Sequence, residues 1–208
     1  MSLFFAQMPL VVSYYTKGTP YEEEVLHLEE SCRKFGLEVY VEGLENRGSW
    51  EENCAIKPYF MKKMMEKHNR PLLWVDSDAV FLKPMTFEEF MFSDLSVFTY
   101  PENTEIHFRL GAGTIYVNAT DGGRESLDLW CQQSDRIRES LSEMPAFADQ
   151  ISLHLVLLNK PTFSIGSLPI SYSKIFDRQA DLLEEEIVIE HRQASRRFKE
   201  TVNYYICS

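Results

Sequence analysis

The segment Leu72-Leu73-Trp74-Val75 is apolar without interruption and stops at Asp76-Ser77-Asp78. Four apolar residues in a row, bounded by polar ones, are too few for a buried helix and show no alternation. That pattern fits a strand covered on both faces. Such strands occur where helices pack on either side of a parallel sheet, so this segment points to an α/β architecture. It also places a ligand site, because ligands of open α/β sheets sit outside the carboxyl ends of the strands. Asp76 and Asp78 stand at that end.

The rest of the chain supports alternating strands and helices. Pro9–Tyr15 reads as a buried first strand. Thr19-Pro20-x-Glu22 predicts a capped helix over about 20–35, with Tyr21, Val25, Leu28, Cys32 and Phe35 on one face and Gly36 as its stop. Leu37–Val41 reads as the second strand. Ser49-x-x-Glu52 opens a helix reaching about His68, in which Pro58 makes a kink or marks a later start. Thr86-x-x-Glu89 predicts a short helix, and Leu95–Tyr100 a strand. Gly111-Ala112-Gly113 leads into a strand over Thr114–Val117. Leu127, Trp130, Cys131, Ser134 and Ile137 mark one face of a long helix to about 143. Asp149 reads as the N-cap of a helix over 150–158, and Ile187–Ile189 as a late strand before His191. There is no repeat and no Gly/Ser linker. The expectation is one α/β domain over residues 1–208, with a mainly parallel, twisted, Rossmann-like sheet flanked by helices.

Composition narrows the function. The 208 residues are 44% hydrophobic and 25% charged, enough apolar material for a core without disulfides or metal staples. Lys plus Arg (21) minus Asp plus Glu (32) gives a net charge of −11, which disfavours nucleic acid as a partner. No apolar run reaches the roughly 18 residues of a membrane span, and no basic region precedes Met8–Val12 as in a signal peptide. Cys32, Cys54, Cys131 and Cys207 form no C-x-x-C pair. They read as reduced thiols of a cytoplasmic protein.

Two carboxylates two residues apart, just past a buried strand, repel each other unless a cation joins them. Asp76 and Asp78 therefore suit a hard divalent ion with oxygen ligands, which would also draw an anionic diphosphate to an acidic protein. Asp and Ser at a plain turn would look the same. Residues 190–199 hold four basic residues and one acid, a local charge of 4 − 1 = +3. There His191 offers an imidazole to the same metal, and Arg192, Arg196, Arg197 and Lys199 suit phosphates. A solvated basic helix balancing Glu184, Glu185 and Glu186 is the plainer reading. Gly111, Ala112 and Gly113 would let a ligand approach the backbone, or serve only a bulge. Asp149, with Gln150, suits a sugar hydroxyl or a proton transfer as well as a cap. Lys57 is placed to reach a phosphate. Trp50 and Trp74 read as core. No G-x-S-x-G elbow and no catalytic cysteine setting occurs, so metal electrostatics fit better than a nucleophile.

Taken in order, Leu10–Thr16, Trp50-x-x-Asn53-x-x-x-Lys57-Pro58, Leu73–Asp78, Gly111–Asn118, Asp149-Gln150 and Glu190-His191 resemble the nucleotide-diphospho-sugar transferases, glycosyltransferases of the GT-A type. The resemblance spans most of the chain. It implies a metal-dependent hexosyl or related transferase that uses a UDP- or GDP-sugar donor and Mn²⁺ or Mg²⁺. Tyr14 to Thr16 would hold the base and ribose. Asp76 would contact the ribose and, directly or through water, the metal, which Asp78 and His191 would ligate. Asp149 would bind the donor sugar or act as base. Gly111 to Thr114 would lie near donor and acceptor. The sequence names neither the acceptor nor the oligomeric state. Two other readings stand beside it. One is a haloacid-dehalogenase-like phosphatase or phosphotransferase with the first Asp as nucleophile. The other is a non-catalytic nucleotide-sugar-binding module.

Overall fold

In the computed structural model, β1 (Leu10–Thr16) lies between β2 (Val39–Leu44) and β3 (Leu72–Val75), parallel to both. The structure describes residues 7–86, 88–100, 110–159, 161–178 and 186–196. Beyond β3 follow β6 (Leu110–Val117), β5 (Leu95–Thr99) and β7 (Ile165–Ser167), so the sheet order is β2-β1-β3-β6-β5-β7. Five strands run one way, and β6 alone runs against its neighbours. The sheet is thus mainly parallel, as the apolar strands predict.

Alternate residues of the inner strands face opposite layers. Val12, Leu72 and Trp74 pack with Phe60, Met61 and Met64 of α3 (Lys57–His68), Leu127 and Trp130 of α4 (Asp121–Ser140) and Leu153 of α5 (Ala148–Leu158). Val11, Leu73 and Val75 face Leu28 and Cys32 of α1 (Tyr21–Lys34) and the aromatic residues Phe90 and Tyr172. Both faces are covered, which is why β3 carries no polar side chain.

A second, three-stranded sheet is built on the carboxyl side of β3. β4 (Ala79–Phe81) pairs antiparallel with β9 (Ile189–His191), and β9 pairs parallel with β8 (Lys174–Ile175). The register sets Ala79 opposite His191, so residues far apart in sequence meet beside Asp78.

Several boundaries differ from expectation. The glycines Gly111 and Gly113 lie inside β6 rather than before it. β2 starts two residues later than expected and is half-buried, being an edge strand. The stretch from 50 to 68 is two helices, α2 (Trp50–Cys54) and α3, with Pro58 in the first turn of the second. Ser49 caps α2 as predicted, but the Thr19 hydroxyl donates to the Thr16 carbonyl instead of capping α1. Near Thr86 the short helix is a single 3₁₀ turn, Glu89–Phe92. α5 begins two residues earlier than expected, with Phe147 at its N-cap. Asp149 is therefore no cap, and its carboxylate is free to serve elsewhere.

Candidate functional site

The carboxyl end of β3 delivers Asp76, Ser77 and Asp78 to the floor of a cleft of about 680 Å³. The β3–β6 register ends at Val75 opposite Thr114, and the Asp76 amide then donates to the Gly113 carbonyl at 2.9 Å. This bond holds the Asp76 backbone against β6. Asp78 is buried, and its carboxylate accepts from the Ala194 amide at 2.6 Å. Burial first, and the neighbouring Asp76 charge second, push its pKa up to about 7.

His191 enters from β9 and is buried. The Thr114 hydroxyl donates to the Tyr172 carbonyl at 2.7 Å, and the Thr114 oxygen lies 2.9 Å from His191 Nε2. With its proton committed, Thr114 accepts from Nε2–H, which leaves the lone pair on Nδ1. Nδ1 is buried without a hydrogen-bond partner. Burial holds the His191 pKa below its usual value, so the ring is neutral at pH 7. Ligand atoms of Asp76, Asp78 and His191 all lie within 4.8 Å of one another. Two oxygens and a neutral imidazole nitrogen, the last oriented by a hydroxyl behind it, fit a divalent cation. The orphaned Nδ1 is the observation that makes this fit.

Lys57 occupies the centre of the cleft wall. Its ammonium is 2.6 Å from Asp149 Oδ2, 3.1 Å from Asp76 Oδ1 and 3.0 Å from the Ala112 carbonyl oxygen. Three donors meet three acceptors, so Lys57 is spent on the wall and does not reach for a phosphate. Burial opposes its charge, but Asp149 and Asp76 outweigh burial and hold its pKa above the usual value. Asp76 also accepts from the Trp74 indole at 2.9 Å.

Every described candidate except Arg192 lines this one cleft; Arg192 follows β9 and its amide donates to the Asp78 carbonyl at 3.1 Å. Tyr14 and Thr16 line it from the end of β1, and the Tyr14 hydroxyl donates to the Asn53 carbonyl at 2.7 Å. Gly111, Ala112 and Gly113 line it from β6. Asp149 and Gln150 line it from the first turn of α5, and Arg196 from the segment after β9. The Arg196 guanidinium pairs with Asp177 and lies over the Phe176 ring. Arg197, Lys199, Cys207, Glu184 and Glu185 lie outside the described residues. Cys54 lines the cleft, and burial pushes its thiol pKa well up, so it is no thiolate.

Some lining residues were not singled out from sequence. Trp50, read as core, is half-buried on the cleft wall and stacks edge-on with Phe147. Its place in the first turn of α2, after a polar loop, was the available signal. Thr114 was named only as the end of the Gly111–Thr114 segment; that a fully buried hydroxyl needs a partner was the signal for its place behind His191. Nothing in sequence marked Phe147.

No protein-family model and no curated protein matches the chain. Solved structures do. A glycosyltransferase involved in the glycosylation of the major capsid of PBCV-1 superposes with a TM-score of 0.70 at 14% identity, covering 97% of this chain and 100% of that one. The glycosyltransferase GlyE of Streptococcus pneumoniae TIGR4 gives 0.58 at 16% identity and 97% coverage, and its apo form 0.57 at 14%. The chain spans 61% of the length of those GlyE chains. No described helix is long and apolar enough to cross a membrane. The chain therefore has the α/β fold of solved glycosyltransferases, with an Asp-x-Asp pair and a histidine gathered at the mouth of its sheet.

Proposed function

We propose that the protein is a metal-dependent glycosyltransferase that moves a sugar from a nucleoside-diphosphate donor to an acceptor. The observation that carries this is the Asp76–Asp78–His191 group with its unpartnered Nδ1, set in the cleft of a glycosyltransferase-like fold. These three side chains would hold Mn²⁺ or Mg²⁺. When bound, the cation supplies charge neutralisation for the diphosphate leaving group.

The chain's own groups then have distinct tasks. The end of β1, Tyr14 to Thr16, forms the wall against which the base and ribose rest. Arg196 adds positive charge near the diphosphate in an otherwise acidic protein. Gly111 and Gly113 keep the floor low enough for a sugar to approach the backbone. Asp149 and Gln150 offer hydrogen-bonding groups to the donor sugar's hydroxyls. Lys57 holds the carboxylates of Asp149 and Asp76 in place. In the transfer, the bond between the anomeric carbon and the β-phosphate oxygen breaks, with its electron pair leaving on the diphosphate. The acceptor hydroxyl oxygen forms the new bond to the anomeric carbon, and its proton passes to Asp149 in an inverting transfer or to the departing diphosphate oxygen in a retaining one. The fold likeness favours this reading over a phosphatase.

A thermal-shift screen of UDP, GDP and their sugars, each with Mn²⁺, Mg²⁺ or EDTA, tests it. Ligand at about 100 times its dissociation constant adds roughly 2.7 kcal/mol, a shift of a few degrees for a domain of this size. A metal-dependent shift with one nucleotide, absent in Asp78→Ala, is expected. A flat screen with every nucleotide and metal overturns the proposal.

A further inference from the structure

One wall of the cleft is aromatic, and the charged chemistry just described does not use it. Trp50 and Phe147 stand edge to face, ring centroids 5.8 Å apart at 84°. The Trp50 indole N–H donates to the Tyr21 hydroxyl at 3.3 Å, which fixes the ring from the other side. Phe147 is 54% exposed although it lines the cleft. Its φ is +61°, a left-handed conformation that a phenylalanine adopts only under backbone strain. Glycine or asparagine would hold this helix entry without that strain. The chain keeps a strained, exposed aromatic two residues before Asp149.

We propose that Trp50 and Phe147 form the acceptor subsite, and that the acceptor is a carbohydrate presenting a pyranose ring. This rests on the glycosyltransferase reading above. A pyranoside has an apolar C–H face and a rim of hydroxyls. The aromatic wall matches the face, and the hydrogen-bonding groups of Asp149 and Gln150 beside it match the rim. The protein's charge of −11 disfavours an anionic acceptor. A nucleobase stacked on the same rings is the rival occupant. Phe147 is the ring that decides between them: it stands at the entry of α5, two residues before Asp149, whereas Trp50 reaches toward β1 through Tyr21 at the start of α1.

Ligand-observed saturation-transfer NMR with methyl hexopyranosides, and sorbitol as an acyclic control, tests this directly. Wild type should saturate the C–H face of at least one pyranoside and leave sorbitol silent. Phe147→Gly and Trp50→Leu should each weaken that binding at least tenfold. The stability of both folds is checked by thermal melting, and Phe147→Gly, which relieves the strain, should not fall far below wild type. Both variants should retain any melting shift that UDP or GDP with Mn²⁺ gives wild type. If no pyranoside binds, or if the variants bind it as wild type does, the proposal is overturned. It is also overturned if the variants lose the nucleotide shift, which would assign the wall to the base. If wild type shows no nucleotide shift yet binds pyranosides through these rings, the donor reading fails and the sugar subsite stands.

Discussion

The ammonium of Lys57 lies 2.6 Å from Oδ2 of Asp149 and bridges it to Asp76, 3.1 Å away. One buried cation thus joins the first turn of α5 to the end of β3, two elements that no backbone pairing connects. The Ala112 carbonyl completes its shell and fixes β6 as the third corner. The carboxylate offered to a donor sugar and the carboxylate offered to a metal are held by the same charge.

Removing that charge should be expensive. Lys57→Met leaves two carboxylates without their common partner in a cleft wall, and losing one member of a buried pair costs about 3–5 kcal/mol. Asp149→Asn should cost less, because Lys57 then still has Asp76 and Ala112. Urea denaturation of the two variants compares them. A loss below about 1 kcal/mol for Lys57→Met would mean that the wall does not depend on this contact.

The pH response should follow Asp78. Its folded pKa is raised to about 7 from 3.8, mainly by burial, so the folded metal-free protein holds the proton more tightly than the unfolded chain. Stability from this group is therefore full below about pH 4 and falls as pH rises to about 7. Above pH 7 the buried charge costs on the order of 2–4 kcal/mol. Asp78→Asn should melt higher than wild type at pH 8 in EDTA, and lose any gain from Mn²⁺. In wild type the Mn²⁺ gain should grow from pH 6 to pH 8, since the ligand must shed its proton first. A Mn²⁺ gain that is flat or falling over that range contradicts the assignment of Asp78.

The mainly parallel sheet was legible because β3 is apolar on both faces and ends in two aspartates. That end is where an α/β sheet leaves ligands, so the chain pattern alone points to the cleft above Asp76 and Asp78. His191 could be suspected from the apolar residues before it. Its partners could not, because the Ala79–His191 register comes from pairing across more than a hundred residues. Lys57 illustrates the limit most clearly. Sequence shows a lysine near a cleft, and only the fold shows its three donors consumed by Asp149, Asp76 and Ala112. Asp149 was read as a cap because Asp favours that place. The helix starts two residues earlier, after the left-handed Phe147, so Asp149 lies inside its first turn with the carboxylate on Lys57. Thr114 was legible only as the end of the Gly111–Thr114 segment, since a threonine in a strand is ordinary until both its hydrogen bonds are traced.

Thr114 should govern metal affinity without touching the metal. Its hydroxyl oxygen accepts a hydrogen bond from Nε2–H of His191, and its O–H donates to the Tyr172 carbonyl. Thr114→Val keeps the shape and removes both bonds, freeing the ring to flip or change tautomer. Losses of this kind cost about 10–100-fold in metal affinity. Mn²⁺ titration followed by isothermal calorimetry should show that loss for Thr114→Val and near-wild-type binding for Thr114→Ser. Equal affinity of Thr114→Val and wild type would show that the hydroxyl does not orient the imidazole.

Gly113 provides the most local test of the metal centre. A Cβ there would lie 2.8 Å from Cε1 and 3.0 Å from Nδ1 of His191, and 3.3 Å from Oδ2 of Asp76. A methyl group would press on two of the three ligand-bearing side chains at once. Neither can retreat cheaply, because His191 is buried and Asp76 is tied to Lys57 and Trp74. Gly113→Ala should destabilise the fold by about 1–3 kcal/mol, as overpacking does, and abolish the Mn²⁺-dependent rise in melting temperature. Gly111→Ala is the matched control. Its Cβ meets nothing nearer than the Phe98 ring at 3.5 Å, an ordinary contact, so its Mn²⁺ response should persist. Comparing the two variants with and without EDTA separates damage to the strand from damage to the ligand set. If Gly113→Ala keeps the Mn²⁺ gain, the cation does not bind between Asp76 and His191.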